Sequence, residues 1–337
     1  MEQQKPGSHI LPERMDRFTW HDGDLIFFET TDEFIDYTDK PNRSLIEYDF
    51  PDLQLETKIK SQPEEAKINW REINRTTAKE TRKVIKQGFY EKDGKKINLI
   101  GEKFYSAIAI SPAESEDLVK KVSIPDDGTS AKISVVDVDT FEACRHGDEK
   151  FLAMNFANAK HPGGGFLSGA NAQEEALCRE STLFDSLSSV EAQKMYDYNQ
   201  THNKHLYSDY MIISPNVCIF RDIKDQFLDV PALTSVITVP APNRNGAAKR
   251  VPQEMIDTAM KSRLKKMFAV SSYYGYKHLV LGAWGCGAFG NDPRTVAEYF
   301  RELLFDEGYR YLFDTIIFAI FDRGEKVNFN VFREVFS

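Results

Sequence analysis

Three glycines and three polar side chains define the chemistry to look for in this chain. Gly163, Gly164 and Gly165 are followed, after seven residues, by Gln173, Glu174 and Glu175. Two adjacent carboxylates at the head of an apolar-periodic run sit where free N–H groups and the helix dipole favour negative charge. Glycines let the backbone take positive φ and approach a ligand with no Cβ in the way. Such a loop beside paired acids suits a phosphate-bearing sugar, with amides for the phosphates and a carboxyl group for a glycosidic bond. A plain glycine-rich turn before an acidic first helical turn would use the same residues, so the rest of the chain has to be weighed with them.

Just upstream, Asn155-Phe156-Ala157-Asn158 closes an apolar run, and Asn158 is placed to meet a ribose hydroxyl. A second glycine-rich stretch, Gly282 to Asn291, holds Gly285, Cys286, Gly287, Ala288, Phe289 and Gly290 between a buried strand and a helix. Glycines at a strand-to-helix turn suggest an anion site at a helix N-terminus. No Gly-Lys-Ser/Thr follows, so it is not a Walker loop. The spacing Gly285-x-Gly287-x-x-Gly290 matches the dinucleotide pattern by count, but it comes last in the fold instead of first. Phe289 in that loop could wedge against a ribose or fold back into the core. Asn243, in the run Val239 to Asn245 after another buried strand, could line the rim or simply lie in a loop. Arg221 suits an ion pair with a nearby acid.

These loops need elements to hold them. Strong helix formers over residues 70–88 end at Gly88, a C-cap. Strands are expected at 96–100, 132–137, 150–156, 211–214, 217–221, 235–240, 278–282 and 314–321, with Pro215 dividing the fourth from the fifth. Helices are expected to begin at Thr140 and to span 173–187, 252–274 and 292–306. Alternating strands and helices imply a layered α/β domain with a largely buried mixed or parallel sheet. Residues 1–68 differ. They are rich in acids and aromatics, and short apolar pieces at Leu25–Phe28 and Leu45–Phe50 are broken by turn-forming clusters. They are expected to form a partly stranded accessory segment, leaving 69–337 as the main domain.

The chain has 337 residues and a net charge of −9. That balance argues against general nucleic-acid binding, although a local basic patch stays open. No run approaches the ~18 apolar residues of a membrane helix. Residues 1–18 contain no apolar signal core, so a cytoplasmic location is expected. Cys144, Cys178, Cys218 and Cys286 are far apart and lack metal-ligand spacing, so reduced thiols and no metal site are expected. No cofactor is called for.

Taken together, the ordered motifs NFAN, PGGG, QEE, PNVCIFRD, VPAPN and GAWGCGAFGN resemble those of the microbial-type poly(ADP-ribose) glycohydrolases, over about Arg71 to Asp322. The resemblance implies a macrodomain-like three-layer α/β/α fold with a central mixed sheet, preceded by an N-terminal extension. It implies hydrolysis of the ribose–ribose bond, with poly(ADP-ribose) or ADP-ribosylated proteins as substrate and ADP-ribose as product. Glu175 would be the catalytic acid and Glu174 would hold the distal ribose. Gln173 would shape the loop, and Gly163, Gly164 and Gly165 would cradle ribose and diphosphate. The 285–290 loop would wrap the diphosphate, with Phe289 and Asn158 against the terminal ribose. Removal of single ADP-ribose units, reading of ADP-ribose without cleavage, and nicotinamide-dependent oxidoreduction are the competing readings. The paired carboxylates weigh against a reader, and the late position of the 285–290 glycines weighs against an oxidoreductase.

Overall fold

The computed structural model describes the backbone of residues 17–21 and 24–28, and residues 68–337 apart from 102, 126–128, 146–149, 203 and 323. The chain divides into two units, residues 1–67 and 68–337. In the first, β1 (Arg17–His21) pairs antiparallel with β2 (Asp24–Phe28). The expected apolar piece at Leu25–Phe28 is therefore a strand, while Leu45–Phe50 lies outside the described residues.

The second unit opens with α1 (Trp70–Gln87), capped by Asn69 and ended by Gly88 in the left-handed region. A small antiparallel pair follows, β3 (Phe89–Lys92) and β4 (Lys95–Asn98). Next come β5 (Ile108–Ile110), α2 (Pro112–Lys121), β6 (Lys132–Val136), α3 (Thr140–Arg145) and β7 (Phe151–Ala157). The chain continues through α4 (Gln173–Glu180), α5 (Leu183–Leu187), α6 (Val190–Thr201), β8 (Met211–Arg221) and β9 (Phe227–Pro240). It ends with α7 (Gln253–Tyr273), β10 (His278–Leu281), α8 (Pro293–Arg301), β11 (Thr315–Ala319) and α9 (Val327–Val335).

Seven strands form one sheet in the order β5-β8-β9-β7-β10-β11-β6. Strands β9, β7, β10, β11 and β6 run parallel, and β8 is antiparallel to both its neighbours. The sheet is mixed, as expected. Alternation along β7 explains the layering. Leu152 and Met154 enter one core with Met260 and Phe268 of α7 and Phe300 of α8. Phe151 and Ala153 enter the opposite core with Phe141, Leu177, Leu183 and Met195 from α3 to α6. A strand covered on both faces reads as a continuous apolar run, which is how residues 150–156 read.

Three expectations are corrected. The helix over 173–187 is two helices, because Ser181 turns extended and bridges Ile219 while Thr182 N–H bonds Cys218 O. Pro215 does not divide two strands. It sits at a bulge in β8 between Ser214 and Val217, where a missing N–H costs no ladder bond, and its carbonyl accepts from Ser235. The helix over 292–306 is regular to Arg301 and widens to a π turn at Glu302–Asp306.

Candidate active site

The parallel strands all end at one edge of the sheet, and the loops that leave β7, β9 and β10 are the glycine- and asparagine-bearing segments. The ends of β7 and β9 lie side by side, Ala157 opposite Pro240. Crevices beyond the carboxyl ends of parallel strands are the usual ligand sites of α/β sheets.

Glu174 and Glu175 open α4 directly beneath the β7 loop. Glu174 is 2% exposed and Glu175 8%. Glu174 Oε1 accepts from Asn155 Nδ2 at 3.1 Å, and its Oε2 accepts from the Asn158 N–H at 2.8 Å. Glu175 Oε1 accepts from the Gly165 N–H at 2.8 Å, and its Oε2 accepts from the Ala172 N–H at 2.9 Å. The second bond is a glutamate at the third helical position reaching back to the helix start. Both carboxylates are thus held by the glycine loop and the strand end.

Burial pushes the Glu174 carboxyl up to about 8. Glu175 adds to the push by like charge, while the Asn158 and Asn155 bonds oppose it. At neutral pH Glu174 therefore keeps its proton. The folded protein binds a proton that the unfolded chain, near 4.5, has released. The stabilisation is complete below about 4.5 and is lost as pH rises toward about 8. Urea midpoints are expected to fall across that window in the native protein and to stay flatter in Glu174→Gln. Parallel curves for the two proteins would contradict this.

Gln173 sits where β10 stops pairing with β7, a ladder that runs only as far as Ala153 opposite Val280. Its Oε1 accepts from the Phe156 N–H at 2.9 Å, and its Nε2 donates to Met154 O at 2.8 Å and to Thr140 Oγ1 at 3.1 Å. The side-chain amide continues the ladder and ties β7, α3 and α4 together. Gln173→Leu is expected to cost roughly 2–4 kcal/mol by orphaning two part-buried backbone groups, Phe156 N–H and Met154 O. Chemical denaturation checks it, and a cost near zero would sink the clamp.

The glycine loop is shaped for its neighbours. Gly163 and Gly164 have φ of 65° and 56°. A Cβ at Gly164 would come within 3.0 Å of both carboxylates. The amides of Gly164 and Gly165 are committed to His161 O and Glu175 Oε1. They serve the loop and the acid. Asn158 likewise spends its Oδ1 on the N–H groups of Lys160 and His161, which fixes the turn into the glycines.

The loop after β10 leaves the same edge of the sheet beside the β7 loop. Asn291 Nδ2 bonds Gly285 O and Pro242 O, and Asn245 bonds both Ala288 O and Phe289 O. These bonds hold the 285–290 loop by its carbonyls. The amides of Gly287, Ala288 and Phe289 make no hydrogen bond among the described residues, and a Cβ at Gly287 would meet only open space. This loop, more than 163–165, presents an unfilled row of donors. Phe289 leans on the core and remains partly exposed. Burial pushes the half-buried Cys286 thiol well up, which makes it a poor nucleophile. Asn243 is half-buried, and its Oδ1 has no partner among the described residues.

Sequence reasoning missed three supports. Asn155 bridges Glu174 and Thr238, and a polar residue inside an apolar strand was the available signal. Arg179 holds Ala170 O, Asn171 and Asp225. Arg71 Nε donates to Ser168 O. Arg221, expected to pair with Asp222 or another nearby acid, bonds Glu80 at 2.7 Å. Among the described residues, no three His, Cys, Asp or Glu side chains gather as a metal site, and no helix is long and apolar enough to cross a membrane.

A mixed sheet with paired buried acids at its carboxyl edge, and a loop with unfilled amides leaving the same edge, is an arrangement suited to glycoside chemistry. The comparisons specify it. Residues 78–222 match the family model for the microbial-type PARG catalytic domain. The X-ray structure of poly(ADP-ribose) glycohydrolase from Thermomonospora curvata is 34% identical, covering 79% of this chain and 100% of that one, with a TM-score of 0.74. The same enzyme bound to the inhibitor ADP-HPD matches at 34% identity, 78% and 99% coverage and a TM-score of 0.72. The enzyme from Deinococcus radiodurans in complex with ADP-ribose matches at 37% identity, 68% and 93% coverage and a TM-score of 0.62. No curated protein matches the chain. The chain belongs to the microbial-type poly(ADP-ribose) glycohydrolases and is a glycosidase of that family.

Proposed function

We propose that this enzyme trims poly(ADP-ribose) from its ends, releasing ADP-ribose, with Glu175 as general acid and then general base. Cleavage of the ribose–ribose bond passes through an oxocarbenium-like state, and the leaving oxygen needs a proton. Glu175 donates it, and then takes one from the water that completes hydrolysis. Glu174, neutral at working pH, holds the distal ribose. The free amides of Gly287, Ala288 and Phe289 receive the diphosphate, whose charge steadies the cation forming on the ribose. Gly163, Gly164 and Gly165 bring the backbone close to that ribose. Asn158 and Phe289 border it, Cys286, Gly285 and Gly290 shape the loop, and Asn243 lines the rim. Gln173 acts through the strand.

The observation that carries this reading is the carboxylate pair itself: adjacent, buried, and gripped by the loop that must also approach the sugar. The layered sheet with its loops at one edge supports the macrodomain class. Free thiols at Cys144, Cys178, Cys218 and the half-buried Cys286 support a reducing, intracellular setting.

The test is the length of the products formed from long poly(ADP-ribose). Monomeric ADP-ribose from the first time point supports end-directed cleavage. Early oligomers would overturn it. Release from singly modified acceptors with none from the polymer would replace it with mono-ADP-ribosyl hydrolysis.

A further inference from the structure

Helix α1 starts at the lip of this site and leaves it as a basic ridge. Its first turn is stitched to the end of the glycine loop. Asn74 Nδ2 donates to Gly169 O at 3.2 Å, and Arg71 Nε donates to Ser168 O at 3.0 Å. A Cβ at Gly169 would lie 2.0 Å from Arg71 O. The same loop supplies the Gly165 amide to Glu175, so α1 begins on the Glu174–Glu175 side of the cleft.

Along α1, Arg71, Arg75, Lys79, Arg82, Lys83 and Lys86 face two carboxylates, Glu72 and Glu80. At about 100° per residue the six cations fall on one arc of about 120°. The buried residues Asn74, Thr77, Ala78, Thr81, Val84 and Ile85 take another face. Glu80 is engaged by Arg221, and Glu72 by the Asn69 cap. Lys79, Lys83 and Lys86 are exposed and pair with no carboxylate among the described residues. From Arg71 to Lys86 the ridge runs about 22 Å. In a chain of net charge −9, this concentration of positive charge is local and directional. At its near end Trp70 shares the buried face but lies one turn beyond it, and is 60% exposed.

We propose that this ridge, with Trp70 at its head, is the track for the part of the poly(ADP-ribose) chain still attached to the unit being released. The proposal rests on the reading that the scissile bond lies at Glu174 and Glu175. Beyond that bond the substrate continues as a flexible polyanion with a diphosphate and an adenine in every unit. A row of lysines and arginines matches the diphosphates by charge, and an exposed indole gives an adenine a face to stack on. Neither feature has a role in binding a single ADP-ribose unit on the other side of the bond. The track gives the enzyme a physical reason to prefer polymer to a singly modified acceptor.

The test uses the full chain carrying Glu175→Gln, so that polymer is not consumed. Binding of long poly(ADP-ribose) and of ADP-ribose is titrated at low and moderate salt. Adding Lys79→Glu, Lys83→Glu and Lys86→Glu is expected to weaken polymer binding at least ten-fold at low salt and to flatten its salt dependence, leaving ADP-ribose binding within two-fold. Trp70→Ala is expected to weaken polymer binding several-fold with the salt slope unchanged. The Lys→Gln triple variant is expected to fall between and guards against a folding defect in the reversal. Without Glu175→Gln, the lysine variants should raise KM for polymer and leave kcat alone. Unchanged polymer affinity in both triple variants would overturn the track, as would an equal loss for polymer and ADP-ribose. Shortening of the polymer during titration would sink the role of Glu175 instead, while the ratio of the two affinities would still read the ridge.

Discussion

Glu175→Gln is expected to lower release of ADP-ribose from poly(ADP-ribose) by roughly a hundred- to ten-thousand-fold while ADP-ribose still binds. The amide keeps the shape of the carboxyl but cannot give up a proton to the leaving oxygen or take one from water. It also cannot accept with both ends, as the carboxyl does from the Gly165 and Ala172 N–H groups. One of those amides would face an NH2 group at a cost of about 1–3 kcal/mol. The variant should therefore be somewhat less stable as well as inactive. Glu174→Gln makes a different prediction. Glu174 is already neutral at pH 7 because burial holds its proton, so the substitution changes little charge and should cost less activity than Glu175→Gln. Steady-state release, with ADP-ribose affinity measured beside it, checks the order. Full activity in Glu175→Gln, or a larger loss in Glu174→Gln, would reverse the roles assigned here.

Much of this site was legible because its signals are local. Three glycines, a paired acid at a helix start and glycines after an apolar strand each state a local backbone need. The strands were visible because burial on both faces leaves an apolar run. What could not be read was set by pairing across the fold. Ser181 and Thr182 leave the helix only because β8 is there to bond them. Pro215 reads as a break until the bulge around it is seen. The helix at Pro112–Lys121 did carry a local signal that went unread, the capping box of Ser111 and Glu114. Gln173 was seen, but its reason was not. Its partners at Met154, Phe156 and Thr140 are brought to it by β7 and α3. The glycines were read for their backbone freedom, and at Gly164 the space a Cβ would need is taken by the two carboxylates. Spacing names the residues that meet; which hydrogen bond each one spends is settled only in the packed site.

Gly164→Ala is expected to cost at least a hundred-fold in turnover, and it separates two meanings of the glycine loop. Residue 164 has a φ of 56°, where an L side chain adds about 1–2 kcal/mol of strain. That alone would lower stability and spare the chemistry. The added methyl would also lie 2.5 Å from Glu175 Oε1 and 3.0 Å from Glu174 Oε2. Neither carboxylate can yield freely, because each oxygen is held by a backbone or asparagine N–H. Displacing the acid by about 1 Å is enough for a hundred-fold loss. Gly94→Ala is the control. It carries the same kind of strain, with a φ of 73°, and its Cβ would meet nothing within 4 Å. Both variants should melt lower than the native protein, and only Gly164→Ala should lose turnover. Equal turnover in the two would mean that the glycine is there for its backbone angle alone, and that the acid tolerates a neighbour the geometry says it cannot.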